Sequence, residues 1–327
     1  MADRQQVSQA LWYAEPGRAE IREETLEPLA PGAARVRALS SALSRGTEAL
    51  IFRGHVPESE FQRMRAPFMG GSFPLPVKYG YASVGRVEAG PADLLGQAVF
   101  TLYPHQTLYD VPANAVVALP DGVPPARGVL GANMETALNA VWDVEPAPFR
   151  TVAVVGAGVL GALTGYLFSR MTGAEVTLVD IDPARADIAR ALSLQFALPD
   201  AAPGDRELVV HTSASAPGLA TALKLAGDEA TVLELSWYGA GNIAVPLGGP
   251  FHSRRLKLIS SQVGKVAPSH RATWTHRQRL AAALELLADD RLDCLLAPAI
   301  KFADLPAQLP NILAPGSGVL CQRIDYT

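Results

Sequence analysis

The chain has 327 residues, 49% hydrophobic and 18% charged, with a formal net charge of −4. That length suits two domains with separate cores, and the mild negative charge gives no electrostatic reason to expect nucleic acid or an anionic membrane as a partner. Two cysteines outside any CxxC pair and six scattered histidines exclude a disulfide framework and a zinc finger.

The opening stretch, MADRQQVSQALWYAE, has neither the layout of a signal peptide nor a spanning run, so a cytoplasmic protein is expected. Residues 7–120 read as mostly β. Ala10–Glu15, Ala33–Leu39, Tyr81–Glu88, Gln97–Leu102 and Tyr109–Val117 are strand candidates separated by Gly, Pro and Asp, and Glu58–Ala66 is a short helix candidate. Residues 118–125, ALPDGVPP, read as a linker, and Gly128–Val144 has apolar residues at helical spacing.

Thr151–Asp180 is the most informative stretch. Thr151–Val155 is a short β-branched run suited to a strand buried on both faces. It runs into Gly156-Ala157-Gly158-Val159-Leu160-Gly161, a helix to about Met171, a strand over Ala174–Val179, and Asp180. In this pattern the glycines allow a tight turn, close approach to a pyrophosphate and close helix packing, while the helix N-terminus faces the phosphates. A carboxylate roughly 20 residues beyond the motif accepts hydrogen bonds from a ribose and repels a 2′-phosphate, which favours NAD over NADP. Arg185, on the next turn, is expected to stack on adenine rather than bind phosphate.

Beyond Asp180, helices over Pro183–Leu192 and Pro217–Leu225 alternate with strands over Leu208–His211, Ala230–Leu235 and Leu256–Ser260. This predicts an α/β fold with a doubly wound parallel sheet. Arg277–Ala288 reads as an amphipathic helix and Val319–Ile324 as a closing strand.

A β-rich front, a dinucleotide unit near residue 150 and a returning tail resemble the medium-chain dehydrogenase/reductase superfamily over essentially the whole chain. SRGTE at 44–48, GYASVGRV at 80–87, the linker, Asn133-Met134-Glu135-Thr136-Ala137 and GAGVLG carry the resemblance. The first two look most like the bacteriochlorophyllide a hydroxyethyl dehydrogenase branch. The resemblance implies a GroES-like catalytic domain (1–122 and 264–327), a Rossmann domain (123–263) and a cleft between them. It also implies a homodimer paired through Leu256–Ser260. Where zinc-dependent members carry ligands, this chain has Ser44-Arg45, Tyr81 and Ala132, and the four-cysteine lobe is missing. A zinc-independent enzyme is therefore expected, since a zinc site needs three protein ligands.

Without a metal, a side chain or ordered water must do the acid–base work. Tyr81 either donates to a carbonyl or fills the vacated metal space. Ser44 or Arg45 replaces the zinc cysteine, depending on register. Arg45 either binds an anion or lies at the surface paired with Glu48. Glu135 either serves a proton relay or simply favours a helix N-terminus, and His105 either reaches substrate from a loop or is solvated. His55, Lys78 and Tyr79 are weaker candidates. The resemblance implies that Thr136 packs on nicotinamide, and that Ser213 and the loop of Trp237 and Tyr238 hold ribose and carboxamide, with Trp237 equally a candidate for the core. The expected function is hydride transfer between NAD and a secondary alcohol or its ketone. The alternatives are an NAD(P)H-dependent quinone or enoyl reductase and a non-catalytic dinucleotide-binding protein.

Overall fold

The computed structural model describes residues 6–144 and 149–326. The first five residues, on which part of the leader reading rests, lie outside that set. The chain divides into two compact units. The first is Met1–Ala132 with Leu284–Ala288 and Leu296–Thr327, and the second is Asn133–Ala283 with Asp289–Leu295.

The first unit is built on two sheets. In one, the Gln6–Glu15 strand buries Ala10, Leu11 and Tyr13 and pairs antiparallel with Arg18–Leu26. Arg18–Leu26 (RAEIREETL) gave no strand signal because it is densely charged. It forms the sheet edge, where charged side chains discourage pairing with other chains. In the other sheet, of seven strands, Ala33–Leu43 pairs with Ser83–Ala89, Leu108–Pro112 and Cys321–Asp325. Cys321–Asp325 pairs in turn with Leu296–Lys301, so the end of the chain completes the sheet that its beginning starts.

The expected strand over Tyr109–Val117 breaks into Leu108–Pro112, a 3-10 turn at Ala113–Ala115 and Val117–Ala118. Pro112 ends the first piece, having no N–H to donate to a ladder. The expected helix over Glu58–Ala66 is only a 3-10 turn at Glu58–Glu60, a segment with no buried residue to hold it. The Leu305–Ile312 helix escaped notice because prolines punctuate its sequence. Pro306 stands in its first turn, where a missing N–H costs nothing, and Pro310 lies inside.

The second unit holds a six-stranded parallel sheet. Its order is Gln195–Ala197, Glu175–Val179, Thr151–Val155, Arg206–His211, Ala226–Glu234, Lys257–Ser260. In chain order this is 3-2-1-4-5-6, a doubly wound arrangement with its switch point between Thr151–Val155 and Arg206–His211. Val152–Val155 and Leu208–Val210 are buried, as continuous apolar runs in a covered parallel sheet require. The Val159–Thr172 helix ends at Gly173 in the left-handed conformation (φ 73°). No helix among the described residues is long and apolar enough to cross a membrane.

Candidate functional site

The turn after Thr151–Val155 shows why its glycines are where they are. Gly156 has φ 105°, and a Cβ there would lie 2.7 Å from Thr212 Oγ1 and 2.8 Å from Ser213 N. A Cβ on Gly161 would fall 1.9 Å from the Gly156 carbonyl oxygen. Gly158 differs: it is exposed, and a Cβ there would meet nothing within 4 Å. Two glycines thus serve backbone packing, and the third leaves open space at the N-terminus of the Val159–Thr172 helix, where Val159 and Leu160 begin the first turn. Such a terminus favours an anion because its N–H groups lack intrahelical partners.

Asp180, past the end of the adjacent strand, accepts from Ala157 N–H at 2.7 Å and from Asp182 N–H at 2.9 Å. The half-buried carboxylate therefore stands at the glycine turn. Arg185 is paired with Asp182 at 3.3 Å. Thr212 Oγ1 donates to the Gly156 carbonyl at 2.7 Å, fastening the next strand's end to the same turn. The residues present fit a dinucleotide: an open glycine, free-facing helix N–H groups and a carboxylate beside them.

At the carboxyl ends of Arg206–His211 and Ala226–Glu234, the expected Ser213 and Tyr238 stand in a cluster with His211 and Glu234, two residues without a role in the sequence analysis. His211 is fully buried, with Nδ1 2.7 Å from Glu234 Oε2 and Nε2 2.7 Å from Ser213 Oγ. Tyr238 donates its hydroxyl to Glu234 at 2.9 Å, and Ser236 N–H donates at 2.7 Å. The available signal was Glu234 inside the apolar run ATVLEL, because a carboxylate there needs partners. Trp237 is half-buried on the same loop, and Thr136 is half-buried in the Gly131–Asp143 helix.

Glu135, in that same helix, is buried against Arg279 at 3.1 Å. Burial pushes its carboxyl up from the usual range while the guanidinium pulls it down. Arg279 also donates to Asn139 and to the carbonyls of Lys265 and Val263, tying down the segment after the last strand. Its sequence context, an amphipathic helix with several basic residues, gave no sign that this one is 1% exposed.

In the first unit, the two alternatives offered for His105 both give way to a third. It is fully buried, with Nε2 2.9 Å from Glu48 Oε2 and Nδ1 2.8 Å from Ser41 Oγ. Glu48 also accepts from Tyr13 Oη at 2.5 Å and Ser44 N–H at 2.7 Å, so its carboxylate is engaged by His105, Tyr13 and the Ser44 backbone. Arg45 instead donates to the carbonyls of Ile312, Ala314 and Val319, binding the loop before the closing strand. Tyr81 lies beside Ser44 and Thr47, and burial pushes its pKa up to about 12. Lys78 is engaged by Glu24 and Gln106, and Tyr79 lies edge-on to Tyr81 at 6.1 Å. Among the described residues no three His, Cys, Asp or Glu side chains gather around a position for a metal ion.

No family model and no curated protein matches the sequence. Solved structures do match. L-idonate 5-dehydrogenase from Escherichia coli K-12 is 14% identical with a TM-score of 0.78, covering 98% of this chain and 99% of that one. A protein described as short chain alcohol dehydrogenase (rspB), from E. coli CFT073 and complexed with NADH, is 14% identical with a TM-score of 0.76, covering 98% and 99%. TarJ from S. aureus, in complex with NADPH, is 13% identical with a TM-score of 0.75, covering 98% and 100%. The chain thus shares the fold of these dehydrogenases along nearly its whole length, a β-rich unit and a doubly wound parallel-sheet unit.

Proposed function

We propose that this chain, folded as a medium-chain dehydrogenase, is a zinc-independent, NAD(H)-dependent oxidoreductase acting on a secondary alcohol or its ketone. One observation carries the reading: the open Gly158 and the Asp180 carboxylate, bonded to Ala157 N–H, stand together at the switch point of a 3-2-1-4-5-6 parallel sheet. Asp180 would accept from the adenosine ribose hydroxyls and repel a 2′-phosphate, hence NAD over NADP. When bound, the nicotinamide would supply the hydride acceptor or donor.

The chain's own part begins with Tyr81. Its pKa of about 12 keeps the phenol protonated at neutral pH, so it can donate to a carbonyl oxygen in the reductive direction. Zinc independence is supported by the residue types at the three family ligand positions, Ser44-Arg45, Tyr81 and Ala132. The carbonyls that engage Arg45 also argue for a tethering role over anion binding. We further propose a cytoplasmic homodimer. The Lys257–Ser260 strand is a sheet edge with Leu258 37% exposed, which suits pairing with a second copy.

Fluorescence titration with NADH and NADPH, then turnover with alcohols and ketones against quinones and enones, tests the reading. Tighter NADH binding with alcohol turnover is expected. Enone or quinone reduction alone would favour the reductase alternative, and binding without turnover a non-catalytic protein. Stoichiometric zinc that chelators remove together with activity would overturn zinc independence, and a monomeric mass by light scattering the dimer.

A further inference from the structure

The cluster behind Ser213 has an order that fixes where its protons sit. Glu234 already accepts from Tyr238 Oη and Ser236 N–H. Its carboxylate therefore takes the hydrogen from His211 Nδ1, an arrangement that holds the Glu234 pKa down against burial. A neutral imidazole with its proton on Nδ1 has a lone pair on Nε2. Nε2 then accepts from the Ser213 hydroxyl at 2.7 Å, Ser213 Oγ accepts in turn from the Ser215 hydroxyl at 2.9 Å, and one Ser213 Oγ lone pair remains for a ligand.

Three features show that this geometry is built into the fold. A Cβ on Gly218, in the first turn of the Ala216–Leu225 helix, would lie 2.0 Å from Ser213 Oγ and 2.8 Å from His211 Nε2, so only glycine there leaves the contact intact. Ala214 holds a left-handed conformation (φ 51°) with its N–H on Ser236 Oγ at 3.1 Å, a strained residue at the head of the turn. The backbone at Ser213 lies against Gly156 closely enough that a Cβ there would be 2.8 Å from Ser213 N. Ser213, an exposed residue, thus borders the dinucleotide turn while His211 behind it is sealed from water.

We propose that Ser213, His211 and Glu234 form a relay that reads a ligand hydroxyl: Ser213 Oγ accepts the ligand's hydrogen bond while its own proton is held by His211 Nε2. The proposal rests on the dinucleotide reading and adds to it a hydroxyl-recognising group. The titratable groups facing His211 are Glu234 from the neighbouring strand and Tyr238 from the loop after it, whose hydroxyl lies 3.3 Å from Nδ1. Ser236 and Ser213 complete the polar contacts. Tyr238, its pKa pushed above the usual phenol value, stays neutral. The hydroxyl belongs either to the dinucleotide or to the alcohol substrate.

The test begins on the ligand-free protein. Histidine-selective NMR should show the His211 ring with its proton on Nδ1 and its lone pair on Nε2. Binding is then followed by NADH fluorescence in wild type, Ser213→Ala and Glu234→Gln, with circular dichroism confirming that each folds. If the hydroxyl is the dinucleotide's, Ser213→Ala weakens NADH binding about tenfold and Glu234→Gln weakens it less. If it is the substrate's, NADH binding stays level and the same losses appear in the KM for the alcohol. A proton on Nε2, or NADH affinity and KM both unchanged by Ser213→Ala, overturns the relay. Failure of the wild type to bind either dinucleotide overturns the functional reading itself, a separate result.

Discussion

Asp180 accepts a 2.7 Å hydrogen bond from the backbone N–H of Ala157, so one carboxylate both braces the glycine turn and presents its charge there. The two roles separate on substitution. Asp180→Asn keeps an acceptor for Ala157 but removes the charge. It should raise the ratio of NADPH to NADH affinity about tenfold, roughly 1.4 kcal/mol, with little loss of stability. Asp180→Ala should weaken NADH binding and also lower the melting temperature. Paired titrations and thermal scans check both. An unchanged coenzyme ratio in both variants would remove the basis for assigning NAD.

The glycines of the turn make opposite predictions. Gly161→Ala puts a Cβ against the Gly156 carbonyl and should cost about 1–3 kcal/mol of stability as well as binding. Gly158→Ala meets open space, so its melting temperature should stay near wild type while dinucleotide affinity falls. Equal destabilisation by the two would contradict the division of labour described above.

Arg45 tests whether a basic residue in a zinc-ligand segment recognises a ligand or ties the chain down. Arg45→Met leaves the carbonyls of Ile312 and Ala314 without their charged donor and should cost about 2 kcal/mol, with faster proteolysis around 312–319. A loss of activity with an unchanged melting curve would instead identify a ligand-binding arginine.

Tyr81→Phe should lower the rate of carbonyl reduction about a hundredfold while leaving NADH affinity and the melting temperature close to wild type. Because the phenol titrates at about 12, Tyr81 should introduce no alkaline limb into the wild-type rate below about pH 10. Wild-type rates in the phenylalanine variant would return Tyr81 to a space-filling role.

Asp289 supplies a stability prediction independent of function. Arg291, Tyr166 and the Arg291 N–H hold its carboxyl well below the usual range. A depressed folded-state pKa contributes stability that is complete above the unfolded value of about 3.9 and is lost as pH falls through the lower folded value. Asp289→Asn should therefore cost about 1 kcal/mol at neutral pH, and the gap should close below about pH 4. Melting curves at several pH values measure it. A gap that widened on acidification would have the wrong sign.

Local chemistry made much of this molecule legible. Strand, glycine turn, helix and acid at Thr151–Asp180 could be read because each part satisfies its own neighbours: β-branched residues a buried strand, glycines a turn no side chain would fit, a carboxylate the end of the next strand. The alternation that followed gave the parallel sheet for the same reason. Side-chain partnerships were decided only by the tertiary structure. Glu48 and His105 are 57 residues apart, Glu135 and Arg279 are 144 apart, and Arg45 reaches carbonyls more than 260 residues away. Nothing in the residues beside them says that burial will strip them of water and force them to pair. His211 and Glu234 meet because two parallel strands run in register, a distance that no sequence spacing encodes.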